Sequence, residues 1–217
     1  RKKKNSKLLK CRCGFSEEVK SGQWKYGKDL ESKTRIVFSK DGAPISKWGQ
    51  SGANNGQLCG PSGLAFDSDG NLLVVDTKNH RVQKFTKDGQ FLAVFGTEGS
   101  QEGQFDMPWG IAVDEQNNSY VADWGNNRVQ KFTPDGKHQY TIGSPGKGKG
   151  QLNHPSDVAI DQDGDIYVAD WGNHRVIIYE GDGTYLATIN GDATNLSEWG
   201  KGLVAANPDL AKARARA

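Results

Sequence analysis

Apolar residues in this chain come in short runs, each closed off by glycine, aspartate or asparagine. The segments 63–66, 72–76, 81–86 and 91–95 are rich in β-branched and aromatic residues and are separated by turn residues, which is the pattern of short strands. Asp67-Ser68-Asp69-Gly70 follows the first run and Lys87-Asp88-Gly89 precedes the fourth. Both are tight-turn sequences, because glycine accepts positive φ and aspartate caps the turn with its side chain. An antiparallel meander of four strands is therefore predicted. Leu72-Leu73-Val74-Val75 lacks polar alternation, so the second strand is expected to be covered on both faces, as happens when such sheets stack around an axis.

The same pattern returns with a step of 47 residues: Phe38, Phe85, Phe132 and Tyr179 stand at that spacing. So do Pro61, Pro108 and Pro155, and the aspartates Asp67, Asp114 and Asp161. Asp76, Asp123 and Asp170 repeat with it, as do Asn79, Asn126 and Asn173 and the arginines Arg81, Arg128 and Arg175. A repeat of this length holding four strands predicts an all-β fold, a β-propeller of four-stranded antiparallel blades. Full repeats begin near Pro61, Pro108 and Pro155. One step before Arg81, Asn79 and Asp67 stand Thr34, Ser32 and Lys20, so the first blade is expected to be degenerate or partial.

The string Pro-Trp-Gly-Ile-Ala-Val-Asp at 108–114, followed by Tyr-Val-Ala-Asp-Trp-Gly-Asn-Asn-Arg-Val-Gln-Lys-Phe at 120–132 and by Asp135-Gly136, resembles the NHL repeat. The resemblance covers roughly residues 34–190. It implies a bacterial-type NHL propeller with about four blades present of a usual six, so that further blades or a partner subunit are needed to close the ring and cover its apolar end faces. The organisation expected is a basic segment with part of a first blade at 1–33, the propeller blades at 34–190, and a helical insertion or C-terminal segment at 191–217. In the last of these, Leu196, Trp199 and Leu203 share a helical stripe and Asn207-Pro208 starts a second helix.

Composition adds little to the fold and more to what is excluded. The 28 glycines of the 217 residues fit many tight turns. No run approaches the roughly 20 apolar residues of a membrane-spanning helix, and no membrane segment is expected. The chain does not open on methionine and ends on an unfinished helical pattern, so a piece of a longer protein is expected, from which an export signal could be missing. Cys11, Cys13 and Cys59 are odd in number and form no C-x-x-C pair, which indicates neither a disulfide framework nor a zinc site and favours a cytoplasmic location. A net charge of +2 gives little electrostatic drive toward nucleic acid.

Strand direction places the loops between second and third strands, with the connections between blades, on one face of the disc. Trp109, Trp124, Trp171, Met107, His80, His154, His174 and Asn127 fall there, and loops on a rigid scaffold are where function concentrates. Trp124 and Trp171 occupy one repeat position, so packing between blades and ligand contact are both open for them. Trp109 has Ser62 and Ser156 as its equivalents, so the architecture does not require an aromatic there and ligand contact is the reading. The ligand-binding face is therefore assigned to Trp109, Trp124, Trp171, His80, Asn127 and His174.

The pairs Asp76/Arg81, Asp123/Arg128 and Asp170/Arg175 recur in every full blade, and one active site needs no such triplication. They are read as structural locks on the loops they span. No catalytic residue, metal site or cofactor is expected. NHL-type enzymes that hold zinc place histidines directly after the proline opening a blade, where this chain has Ser62, Trp109 and Ser156. The turn 161–165, Asp-Gln-Asp-Gly-Asp, is oxygen-rich but lacks EF-hand spacing and is read as a hairpin turn. The function expected is a non-catalytic scaffold that binds a protein or peptide on the loop-rich face. Single-stranded RNA on the same face is the alternative, and a metal-dependent lyase or hydrolase-like propeller enzyme is a second one.

Overall fold

The computed structural model describes residues 35–38 and 44–190, with side chains from residue 48 onward. The basic segment 1–33 and the helical stretch 191–217 expected above lie outside the described residues. The strands run in chain order as β1 Arg35–Phe38, β2 Pro44–Trp48, β3 Gln50–Ser51, β4 Gln57–Leu58, β5 Pro61–Phe66, β6 Leu72–Asp76, β7 Arg81–Phe85 and β8 Phe91–Phe95. They continue as β9 Pro108–Val113, β10 Ser119–Asp123, β11 Arg128–Phe132, β12 His138–Ile142, β13 Ser144–Pro145, β14 Gln151–Leu152, β15 Pro155–Ile160, β16 Ile166–Asp170, β17 Arg175–Tyr179 and β18 Tyr185–Asn190.

Three antiparallel sheets, β5–β8, β9–β12 and β15–β18, are the three full blades, and each is a simple meander. The pair β1–β2 supplies the two outer strands of a preceding blade. Short parallel pairs, β3 with β4 and β13 with β14, fasten the connections that lead into the first and third full blades. A single bridge, Glu98 to Phe105, does the same for the second. No described helix is long and apolar enough to cross a membrane.

The inner strand of each blade meets its neighbour with a register shift just after the blade-opening proline, between Pro61 and Leu64 in the first. Proline has no N–H to offer the ladder, so it tolerates this irregular start. The shift lets inner strands of adjacent blades approach closely near the axis. A Cβ on Gly63 would collide with the Trp109 carbonyl and one on Gly110 with the backbone of Asp157, so the absence of a side chain at these two positions is a packing requirement.

Blades adhere through alternate residues of their strands, as the two-residue period of a strand demands. Leu72 and Val74 face backward with Leu58 and Phe85, against Trp48 of the preceding pair. Leu73 and Val75 face forward and pack with Phe105, Ile111, Val121 and Phe132 of the second blade. Tyr120, Val129 and Ile142 repeat this against Leu152, Val158, Ile166, Val168, Ile177 and Tyr179 of the third. Each such side chain, fully buried, contributes about 1.5–3 kcal/mol. At the ends of the described array the pattern is uncovered: Leu64 and Phe66 on the leading face and Ile189 on the trailing face are exposed, whereas Ile142, the counterpart of Ile189, is buried.

Cys59 is fully buried beside the first blade and is a bonded cysteine. The expectation that the cysteines indicate no disulfide is corrected at this position, and the argument for a cytoplasmic location that rested on it falls away.

Candidate ligand-binding face

The loop face is built on a buried carboxylate in each blade. Asp76 ends β6 with no solvent exposure, and its two oxygens are saturated. Oδ1 accepts the Cys59 N–H at 2.5 Å, while Oδ2 accepts from Asn79 Nδ2 at 2.8 Å, Arg81 Nε at 2.9 Å and Gln83 Nε2 at 3.0 Å. Arg81 then reaches the carbonyls of Asn54 and Gln57, and Asn79 that of Gly52. A buried charge is tolerated when it is paired and fully hydrogen-bonded. Here it also clamps the connection that enters the blade.

The second blade repeats the arrangement. Asp123 accepts from the Asp106 N–H, Asn126, Arg128 and Gln130, and Arg128 reaches the Gln101 and Gln104 carbonyls. In the third, Asp170 accepts from the Asn153 N–H, Asn173 and Arg175, and Arg175 reaches Lys147, Gly148 and Gln151. Ile177 stands where the other blades have glutamine. The three Asp–Arg pairs are thus bound into loop hydrogen bonds, with the carboxylates closed to solvent.

Position 80 and its repeat equivalents, Asn127 and His174, follow a tight turn and adopt positive φ of 52°, 56° and 56°. The first two use their side chains to hold the next blade. The Met107 N–H donates to His80 Nδ1 at 3.1 Å, and the His154 N–H donates to Asn127 Oδ1 at 2.8 Å. The same Nδ1 also lies 3.3 Å from the Phe105 carbonyl oxygen. Histidine and asparagine are interchangeable here, both tolerating the left-handed conformation and both presenting an acceptor. His80 is buried and carries the Asp106 carboxylate 3.6 Å from Nδ1.

An aromatic row crosses the same face. Trp109 and Trp124 stack with ring centroids 6.0 Å apart and an interplanar angle of 24°, and Trp124 meets the His154 ring at 4.2 Å. His154 is the residue whose N–H Asn127 holds, so Trp109, Trp124, His154 and Asn127 form one continuous group. Trp109 is 41% exposed and Trp171 60%. Trp171 and His174 bracket the corresponding turn of the third blade, where His174 N–H donates to the Trp171 carbonyl at 3.2 Å. His80 sits at the first seam, apart from the row.

The opposite face carries the tight turns that join first to second and third to fourth strands. Between the first and second blades the turns are tied reciprocally: Asn117 Oδ1 accepts the Ser68 N–H at 2.8 Å, and Asn117 Nδ2 donates to Ser68 Oγ at 2.7 Å. Asp67 there meets Lys84 Nζ at 2.6 Å. Burial disfavours its charge, but the bonds from Lys84 and Asn71 outweigh burial and hold its carboxyl below the usual aspartate value. At the next seam Glu115 and Gly164 replace that serine and asparagine, and a cleft of about 510 Å3 opens between Asp114, Glu115, Tyr120, Lys131 and the turn 161–164. Lys131 relaxes to 3.8 Å from Asp114 and lies over Tyr120 and Tyr140. Burial, with Tyr140 and Asp114 nearby, pushes the Tyr120 phenol far above its ordinary range. Among the described residues no group of three or more His, Cys, Asp or Glu side chains could hold a metal ion.

Several residues that shape this face were passed over in the sequence. Gln57, Gln104 and Gln151 repeat at the same 47-residue step, and their Oε1 atoms accept from the backbone of Asn54, Gln101 and Gly148. Gln83 and Gln130 are fully buried within the carboxylate network. Their spacing was the available signal.

Comparison with known proteins agrees with this architecture. The NHL repeat family matches residues 58–85, 105–132 and 152–179. The B-box type zinc finger protein ncl-1 of Caenorhabditis elegans is 46% identical over 39 residues, 18% of this chain and 5% of that protein. The E3 ubiquitin-protein ligase TRIM71 of Rattus norvegicus is 39% identical over 44 residues, 20% of this chain and 5% of that protein. The chain thus matches only a small fraction of the length of these curated relatives. Among solved structures, virginiamycin B lyase from Staphylococcus aureus superimposes with a TM-score of 0.56 at 15% identity, over 75% of this chain and 50% of the lyase. Identity that low speaks for the fold alone. Repeat profile, 47-residue step and four-stranded sheets all converge, and the chain carries three NHL repeats whose four-stranded sheets are blades of the β-propeller type.

Proposed function

We propose that the loop-bearing face is a non-catalytic docking surface for a protein or peptide partner. The observation that carries this reading is the aromatic row, with Trp109 partly exposed at a position where the sister blades have Ser62 and Ser156. Rigid, partly exposed indoles are enriched among the anchors of protein interfaces, because they bury much apolar area at small entropic cost. The carboxylates and arginines that resemble acid–base groups are engaged in holding loops in all three full blades, which supports a scaffold over a lyase-like enzyme.

The test is retention of partners from a native extract on the immobilised chain, with and without nuclease, and with Trp109→Ala beside the wild type. A defined protein that survives nuclease and is lost with Trp109→Ala supports the reading. Retention that disappears with nuclease would replace it by single-stranded RNA binding, for which stacked indoles are also suited.

A further inference from the structure

The loops on this face share one backbone frame and differ in charge. In the second and third blades an arginine from the network holds the carbonyls of the entering loop, Arg128 at Gln101 and Gln104 and Arg175 at Gly148 and Gln151. Side chains at matching positions therefore project from matching places. One step apart in the repeat, Glu102 answers to Lys149, and Asp106 to Asn153. Lys147 adds a second cation to the third-blade loop, where the second blade has Ser100.

These charges are presented to solvent on loops that are hydrogen-bonded to the tryptophan-bearing turns. The Glu102 side chain is 79% exposed, with His138 Nδ1 at 3.7 Å. That of Asp106 is 52% exposed, and its carbonyl accepts the N–H of Gly125, next to Trp124. Lys147 and Lys149 are exposed, on a loop whose Gly146 carbonyl is held by Asn173, in the turn that carries Trp171. The face thus carries an acidic, tryptophan-bearing station on one blade and a basic, tryptophan-bearing station on the next.

We propose that the partner is a peptide segment of segregated charge, with its acidic end over Lys147 and Lys149 and its basic end over Glu102 and Asp106. This rests on the docking-face reading above and names the partner's chemistry. Complementary charge sets register and direction along a surface more than it sets affinity. A uniformly anionic strand such as RNA would meet repulsion at the second blade.

The test is selection of a phage-displayed random dodecapeptide library on the immobilised chain and on the variants K147E/K149E and E102K, with fluorescein-labelled oligouridylate as a parallel probe. All three substituted side chains are exposed, and circular dichroism checks that the sheets persist. Expected is enrichment of peptides whose Asp/Glu and Lys/Arg occupy opposite ends. Such peptides should bind K147E/K149E at least about threefold more weakly than wild type, the scale of two exposed ion pairs. Enriched peptides without charge segregation, bound equally by all variants, would overturn this inference and leave the docking reading intact. No peptide enrichment together with tight oligouridylate binding would overturn both.

Discussion

Arg128 Nε and Asp123 Oδ2 stand 2.8 Å apart, with the carboxylate fully withdrawn from water. The pair joins the end of β10 to the start of β11 and, through Nη2 of the guanidinium, to the loop entering the blade. Its first role is to fix loops. Asp123→Asn keeps the shape but sets an amide among four donors and leaves Arg128 without its counter-ion. A loss of about 3–5 kcal/mol is expected, as for other broken buried pairs, read as a lower urea midpoint by tryptophan fluorescence.

His80 and Asn127 perform the same task at successive seams, and this makes a substitution experiment unusually clear. His80→Asn should leave stability within about 0.5 kcal/mol of wild type, because asparagine keeps both the acceptor and the tolerance for positive φ. His80→Ala removes the acceptor for the Met107 N–H and places alanine at φ 52°. A loss of about 2 kcal/mol is expected. Thermal unfolding of the two variants compares them directly, and equal losses would show that the histidine ring contributes by packing.

Acid should weaken the first full blade through Asp67, whose partners Asn71 and Lys84 lie in the same blade. Its carboxyl is held below the usual aspartate value in the folded protein, so the unfolded chain takes up the proton first. The stabilisation is fully present above the unfolded value, near pH 4, and disappears as pH falls through the lower folded value. Asp67→Asn should flatten this acidic limb of the stability profile, measured as unfolding temperature between about pH 5 and pH 2.

The tie between Ser68 and Asn117 can be removed and transplanted. Asn117→Gly keeps the positive φ of 65° at that turn but loses both exposed hydrogen bonds, at a cost of about 1–2 kcal/mol. The double change Glu115→Ser with Gly164→Asn would install the tie at the second seam. Slower amide exchange in the turns 114–117 and 161–164 is the readout. Unchanged exchange would mean that the cleft is held open by other contacts.

Trp109→Ala should separate stability from binding. Its ring is 41% exposed and stacks on Trp124, so the fold should lose about 1 kcal/mol. A bound partner should lose about 2 kcal/mol or more, which is roughly thirtyfold in Kd. Trp124→Ala removes contacts to both Trp109 and His154 and should weaken the fold more than Trp109→Ala does.

The blades were legible because a strand's alternation and a 47-residue step leave few solutions. Phe38, Phe85, Phe132 and Tyr179 alone give the period, and Leu72 to Val75 already imply cover on both sides. The continuity of Trp109, Trp124 and His154 was not legible, since it joins the inner strand and loop of one blade to the opening of the next, and that depends on how blades are rotated about the axis. The role of Gln83 was hidden for another reason. A glutamine in a strand of otherwise mixed character reads as a solvent-facing residue, and its burial follows from the carboxylate and the carbonyls it serves.

The exchange of Ser68 and Asn117 for Glu115 and Gly164 has a mechanical meaning. The second seam is tied on the loop face, where Asn127 holds the His154 N–H, while the other face opens as a cleft that is spanned by the hydrogen bond from the Tyr140 hydroxyl to the Gly181 carbonyl. Relative movement of the second and third blades is expected to change the cleft more than the spacing of Trp124 and His154, because the tie from Asn127 lies beside that pair. A recognition surface kept beside that tie stays in register through motions that would misalign it across the cleft.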